Sequence, residues 1–105
     1  MLSQKFSGKL RSRRPIFLRR VVGVSMIPTL RPGQIVFASG WYRKLLVGDI
    51  VTVFHNNREV IKRVGNVTDG KLYILGDNSE SSTDSRCYGW VHESSVTGKV
   101  VLVYS

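Results

Sequence analysis

Apolar and polar positions alternate along most of the chain in short runs, the period-2 pattern of half-buried strands. Six such runs are Leu18–Val24, Gln34–Ala38, Ile50–His55, Glu59–Val64, Lys71–Leu75 and Val96–Tyr104. Val and Ile dominate them, and Gly, Asn or Pro lie between them. No stretch keeps a 3.6-residue period for three turns, so long helices are not expected. Met26–Leu30 has room for one helical turn ahead of Arg31-Pro32-Gly33. The pattern predicts an all-β fold: a small antiparallel coiled sheet or partly open barrel.

One hairpin can be read in register. Asn56-Asn57 suits a two-residue turn, because Asn tolerates positive φ better than most residues. Pairing His55 with Arg58 then sets Val53 opposite Val60 and Val51 opposite Lys62. Alternate residues share a face, so Lys62 lies with Val60 and Val64 against Val51 and Val53, while Glu59, Ile61 and Arg63 point the other way. A lysine among valines has two fates. It can snorkel to the sheet edge, or it can lose its proton, since desolvation lowers an amine's pKa by as much as roughly 3–5 units. In the second case it becomes a general base.

A base needs a nucleophile. Gly23-Val24-Ser25-Met26-Ile27-Pro28-Thr29-Leu30 places a serine between a strand and a turn. Gly23 permits close approach of a substrate backbone, and Pro28 constrains the turn. A backbone N–H there can stabilise an oxyanion, although serines also favour turns for purely local reasons. The polar run Gly76–Arg86 reads either as a surface loop with Asx turns or as a hydrogen-bonded network beside a site, with Asp84 and Arg86 spaced to brace each other.

Composition narrows the picture. The chain has 105 residues, enough for one domain, and 42% are hydrophobic, too many for a disordered tail. Its single cysteine, Cys87, excludes an intrachain disulfide, and no His/Cys cluster suggests a metal, so neither cofactor nor metal is expected. The net charge of +9 is uneven: residues 1–48 carry ten Lys/Arg and no acid, whereas residues 49–105 carry six against seven acids. Residues 1–14 are polar, basic and aperiodic, and are read as a flexible arm ahead of a domain spanning 15–105. The basic charge reads either as a solvated tail or as attraction to an acidic surface, whether a membrane's phospholipid touched peripherally, nucleic acid or an acidic partner. No apolar run reaches the ~20 residues of a membrane span or the 7–15 of a secretory core, which makes the cytoplasm the expected location.

Four segments, in this order, resemble the boxes of the type I signal peptidase family (S26) of Ser/Lys proteases. Ser25-Met26-x-Pro28-Thr29-Leu30 is similar to its nucleophile box, and Gly48-Asp49-Ile50-Val51 to the strand box that follows. Ile61-Lys62-Arg63-Val64 is similar to its general-base box. Gly76-Asp77-Asn78 through Asp84-Ser85-Arg86, then Gly89-Trp90-Val91, is similar to its last box. The likeness runs from about Val21 to Val100. It implies Ser25 as nucleophile, Lys62 as general base, Ser82 as the hydroxyl that orients Lys62, and Asp84–Arg86 as a loop ion pair. It also places Gly23 and Met26 in the substrate and oxyanion region, with the Ser25 N–H in the oxyanion hole. Two departures stand out. Gly23 occupies a position where many bacterial members carry an oxyanion-binding hydroxyl, and no membrane anchor is apparent.

The run Ser82-Thr83-Asp84-Ser85-Arg86 in so short a chain looks most like the soluble nickel-type superoxide dismutase maturation proteases. That resemblance implies a serine endopeptidase removing a short N-terminal propeptide from a nickel superoxide dismutase precursor. The enzyme alternatives are a general signal peptidase-like processing enzyme and a self-cleaving SOS-repressor-type protease, which would lack the Gly-Asp-Asn box. The non-enzyme alternative is a basic β-domain that binds nucleic acid. It is disfavoured because Trp41, Tyr42, Tyr73 and Trp90 do not interleave with basic residues as stacking platforms do. Ser25 and Lys62 are expected on adjacent elements at one edge of the sheet.

Overall fold

The structure is a computed structural model that describes residues 13–104. Seven strands follow in chain order: β1 (Phe17–Arg20), β2 (Ile35–Ser39), β3 (Ile50–His55), β4 (Arg58–Thr68), β5 (Lys71–Leu75), β6 (Val91–His92) and β7 (Val96–Tyr104). They form one antiparallel sheet in the order β1-β2-β7-β3-β4-β5-β6. The fold is all-β, as the sequence pattern predicts, and the sheet does not close into a barrel. One short helix, α1 (Ser85–Tyr88), and two 3₁₀ turns, Ser79–Ser81 and Glu93–Ser95, interrupt it. Among the described residues no helix is long and apolar enough to cross a membrane.

The β3–β4 hairpin has the register read from sequence, with His55 opposite Arg58 and Val51 opposite Lys62. Asn56 and Asn57 take φ of 57° and 66°, the left-handed pair that a two-residue turn of matching twist requires. Strand β4 continues past Val64 to Thr68, because the register shifts at Gly65 and the alternation resumes one residue out of step. Leu75 lies against Gly65, so a Cβ there would come within 2.6 Å of it. Strand β1 is shorter than its apolar run. It stops at Arg20, and the chain turns away at Gly23, whose φ is +80°. Strand β6 has only two residues, too few for a periodic signal.

The core has two parts. Val51, Val53, Val64, Leu72, Ile74, Val91 and Val96 form one cluster with Leu45. Val21, Met26, Leu30 and Val36 form the other, against which Ile61 packs. Both faces of β4 are therefore covered, and the face of Glu59, Ile61 and Arg63 is not simply outside. Nor do Ser25 and Lys62 sit on adjacent elements at a sheet edge. Lys62 lies on an interior strand, with β2, β7 and β3 between it and β1. The coil of the sheet brings the two together, as the Arg19–Glu59 ion pair between β1 and β4 shows.

Most of the basic arm proposed for residues 1–14 lies outside the described residues. Its last two residues are tied to the body. Arg14 O accepts from Gly40 N at 2.8 Å, and Arg13 O accepts from the Trp41 indole at 3.1 Å. The Arg13 guanidinium donates to the Tyr42 hydroxyl at 2.9 Å, and Arg14 lies over the Phe17 ring.

Candidate active site

Lys62 projects from β4 and is only 4% exposed. Its Nζ donates to Ser82 Oγ at 3.0 Å, and Ser82 Oγ donates to Asp84 Oδ2 at 2.7 Å. Burial lowers the Lys62 pKa, and the positive charges of Arg58 and Arg86 push the same way, against the pull of Asp84. An amine in this setting gives up its proton more readily than one in water.

The carboxylate behind this pair is fully buried and fully engaged. Besides Ser82, Asp84 accepts from the backbone N–H of Gly76 at 2.7 Å and of Arg86 at 3.1 Å. The Arg86 guanidinium binds both of its oxygens, with Nε at 3.0 Å from Oδ1. Burial alone would raise the Asp84 pKa, but the hydrogen bonds from Arg86, Gly76 and Ser82 outweigh it and hold the carboxyl far below the usual range. Asp84 is thus a fixed anion whose charge is answered by Arg86, one hydroxyl removed from Lys62. It also caps α1 through the Arg86 N–H.

Ser25 lies in the turn after β1, half-buried, and lines the same cleft as Lys62, a concavity of about 560 Å³. No direct Ser25–Lys62 hydrogen bond is present, and among the described residues the Ser25 hydroxyl has no partner. The turn around it is clamped to the segment after β5. Asn78 N donates to Ser25 O at 2.8 Å, and Asn78 Nδ2 to Val24 O at 3.1 Å. Thr29 donates to Asp77, which also forms a bidentate pair with Arg63 at 2.8 and 2.7 Å. The Arg63 hydrogen bond holds the Asp77 carboxyl below its ordinary range. Met26 is a core residue, 2% exposed, whose sulfur also receives the Asp77 N–H at 3.5 Å. It anchors the turn from beneath as well as lining the cleft. Gly23 borders the cleft at positive φ with open space where a side chain would start.

Sequence reasoning did not single out the Thr29–Asp77–Arg63 clamp or the role of Gly76. A Cβ on Gly76 would stand 2.1 Å from Ser82 Oγ and 2.8 Å from Ser25 O. Gly76 therefore lets the serine turn and the Ser82 loop meet. The available signal was a glycine opening the segment that carries Asp77, Ser82 and Asp84. Among the described residues no group of His, Cys, Asp or Glu is placed to hold a metal ion.

Comparison with known proteins bears on one part of this site. A 34-residue stretch is 47% identical to the signal peptidase I of Buchnera aphidicola subsp. Baizongia pistaciae (strain Bp), covering 32% of this chain and 11% of that protein. The chain thus spans only a small fraction of that relative's length. Residues 62–105 match the family described as signal peptidase, peptidase S26. That segment begins at Lys62 and holds Ser82, Asp84 and Arg86, whereas Ser25 precedes it. The part of the chain that carries the buried lysine and its hydrogen-bonded support is therefore similar to the signal peptidases of the S26 family.

Proposed function

We propose that this protein is a serine endopeptidase in which Ser25 is the nucleophile and Lys62 the general base. The observation that carries the reading is the buried Lys62 amine, held by Ser82 in the cleft that Ser25 also lines. A neutral amine has two N–H groups and one lone pair. Ser82 engages one N–H, which limits rotation of the amine and leaves the lone pair for the Ser25 proton. Interposing Ser82 also keeps Asp84 from pairing directly with Lys62, a contact that would favour the charged, inactive form.

In the reaction, Ser25 Oγ attacks the scissile carbonyl as Lys62 takes its proton. Lys62 then returns that proton to the departing amine, leaving an acyl-enzyme that water, activated by the same lysine, hydrolyses. The Ser25 N–H serves the oxyanion, and the glycine at position 23 leaves that side open to peptide backbone.

The substrate is a precursor with a short N-terminal propeptide, and the resemblance of Ser82–Arg86 supports a nickel-type superoxide dismutase proform. The likeness of residues 62–105 to signal peptidases supports a second reading, cleavage of secretory signal peptides. Incubating each precursor with the protein and reading the new N-terminus by mass spectrometry separates the two. The Ser25→Ala variant should cut neither, and equal cleavage by that variant would overturn the assignment.

A further inference from the structure

The cleft beside Ser25 and Lys62 is unevenly charged. Arg19, Arg20 and Arg58 line it against a single carboxylate, Glu59. That carboxylate is already engaged, ion-paired with Arg19 and accepting from Thr97 Oγ1 at 2.8 Å. Arg20 donates to a backbone carbonyl, Gly33 O at 3.3 Å, and has no acidic partner among the described residues. Arg58 is exposed, and its side chain has neither a hydrogen bond nor an ion pair among the described residues. Cations left uncompensated in a cleft raise the local concentration of anionic ligands and favour them once bound.

Arg58 is also well placed along the strand. It stands four positions before Lys62 on β4, so both side chains leave the same face. At strand rise the two are about 13 Å apart. Across the ladder from Arg58 stands His55, whose ring stacks on Tyr88 at 4.0 Å between centroids and steadies that end of the cleft. The field of Arg58 also reaches Lys62, where it favours the neutral amine.

We infer that the cleft reads an acidic side chain of the peptide substrate, an Asp or Glu within about four residues of the scissile bond, with Arg58 as its ion-pair partner and Arg20 as the second available cation. This specificity rests on the peptidase reading above. Arg58 touches the bound peptide and not the reacting atoms, so it sets which peptides enter rather than the chemistry.

The test uses two peptide series, identical except for Glu or Gln at successive positions on either side of the cut. Binding to the non-cleaving Ser25→Ala protein is followed by fluorescence anisotropy, and cleavage by the unaltered protein is followed separately. At low salt, Glu at one position should tighten binding roughly fivefold, as expected for a well-formed but water-accessible ion pair. The advantage should shrink at high salt. Arg58→Gln should bring the Glu/Gln ratio to about one, Arg58→Glu should reverse it in favour of the Gln peptide, and Arg58→Lys should keep it. Arg43→Gln, the same charge change at an exposed residue that does not line the cleft, should leave the ratio unchanged. A ratio of one at every position, a preference that survives Arg58→Gln, or no binding of either series overturns the inference. A preference in binding that Arg58→Gln abolishes, without any cleavage, would instead sink the peptidase assignment and keep only the contact between Arg58 and an acidic side chain of a bound peptide.

Discussion

The Lys62 amine donates to the hydroxyl of Ser82 at 3.0 Å, and the Asp84 carboxylate lies one hydrogen bond beyond. This spacing separates two electrostatic tasks. Asp84 must be charged to hold its loop, and Lys62 must be uncharged to act as a base. A direct contact would force a compromise, because an adjacent carboxylate stabilises an ammonium. With Arg86 answering Asp84 and Ser82 standing between, Asp84 keeps its charge while burial still lowers the Lys62 pKa.

Activity and stability should respond to pH through Lys62 in a linked way. In the proposed mechanism the neutral amine is the working form, so kcat/KM should rise with pH through a value below the ordinary 10.5. Between that lowered value and 10.5, the unfolded chain binds a proton that the folded protein does not, so stability from this group increases with pH. Lys62→Met should abolish cleavage, remove that slope from urea unfolding curves, and raise stability near neutral pH by about 1 kcal/mol. A flat pH–rate profile would argue against a titrating lysine.

Ser82→Ala separates orientation from binding. It removes the group that holds the amine but touches nothing that would grip the peptide. We expect kcat to fall by about 10- to 100-fold, within the usual range for a perturbed general base, while KM changes little. A pure rise in KM would place Ser82 in substrate binding instead.

Asp84 should govern acid stability. Its folded pKa is depressed, so its contribution is fully present above the ordinary 3.8 and is lost as pH falls towards the folded value. Asp84→Asn leaves Arg86 and the Gly76 N–H without their anion and should cost about 2–3 kcal/mol at neutral pH. The cost should shrink in acid. Equilibrium denaturation at several pH values measures both, and a pH-independent cost would assign the loss to packing.

Gly76→Ala tests the close approach of the two loops. The new methyl would meet Ser82 Oγ at 2.1 Å, Ser82 Cβ at 2.6 Å and Ser25 O at 2.8 Å. Backbone must move to relieve this, at about 1–3 kcal/mol of stability. Because the displaced groups are Ser82 and the serine turn, we expect cleavage to fall more steeply than stability does. Activity retained within twofold would show that the two segments can part without harm.

Deleting residues 1–12 should preserve the sheet, since Arg13 and Arg14 supply contacts to Trp41, Tyr42, Gly40 and Phe17. Deleting 1–14 should cost measurably more. Thermal denaturation of the two truncations distinguishes these outcomes, and equal melting temperatures would make the Arg13–Arg14 contacts neutral.

The local order of this protein is written in its sequence. Alternating Val and Ile positions predict strands because a pleated chain presents every second residue to the core. Asn56-Asn57 predicts the hairpin and its register because few other residues accept two consecutive positive φ values. That register is enough to place Lys62 among valines, and the ordered boxes around Ser25, Lys62 and Asp84 point to one chemistry. The meeting of those segments could not be read the same way. Ser25 and Lys62 belong to parts of the sheet separated by three strands, and sheet coil, which no single strand encodes, carries the turn after β1 onto the loop after β5. The Arg63–Asp77–Thr29 clamp, the clearance at Gly76 and the solitary charge of Arg58 are likewise properties of that meeting. Each depends on distances between residues far apart in the chain, and side-chain pattern reports which face a residue occupies, not what comes to stand opposite it.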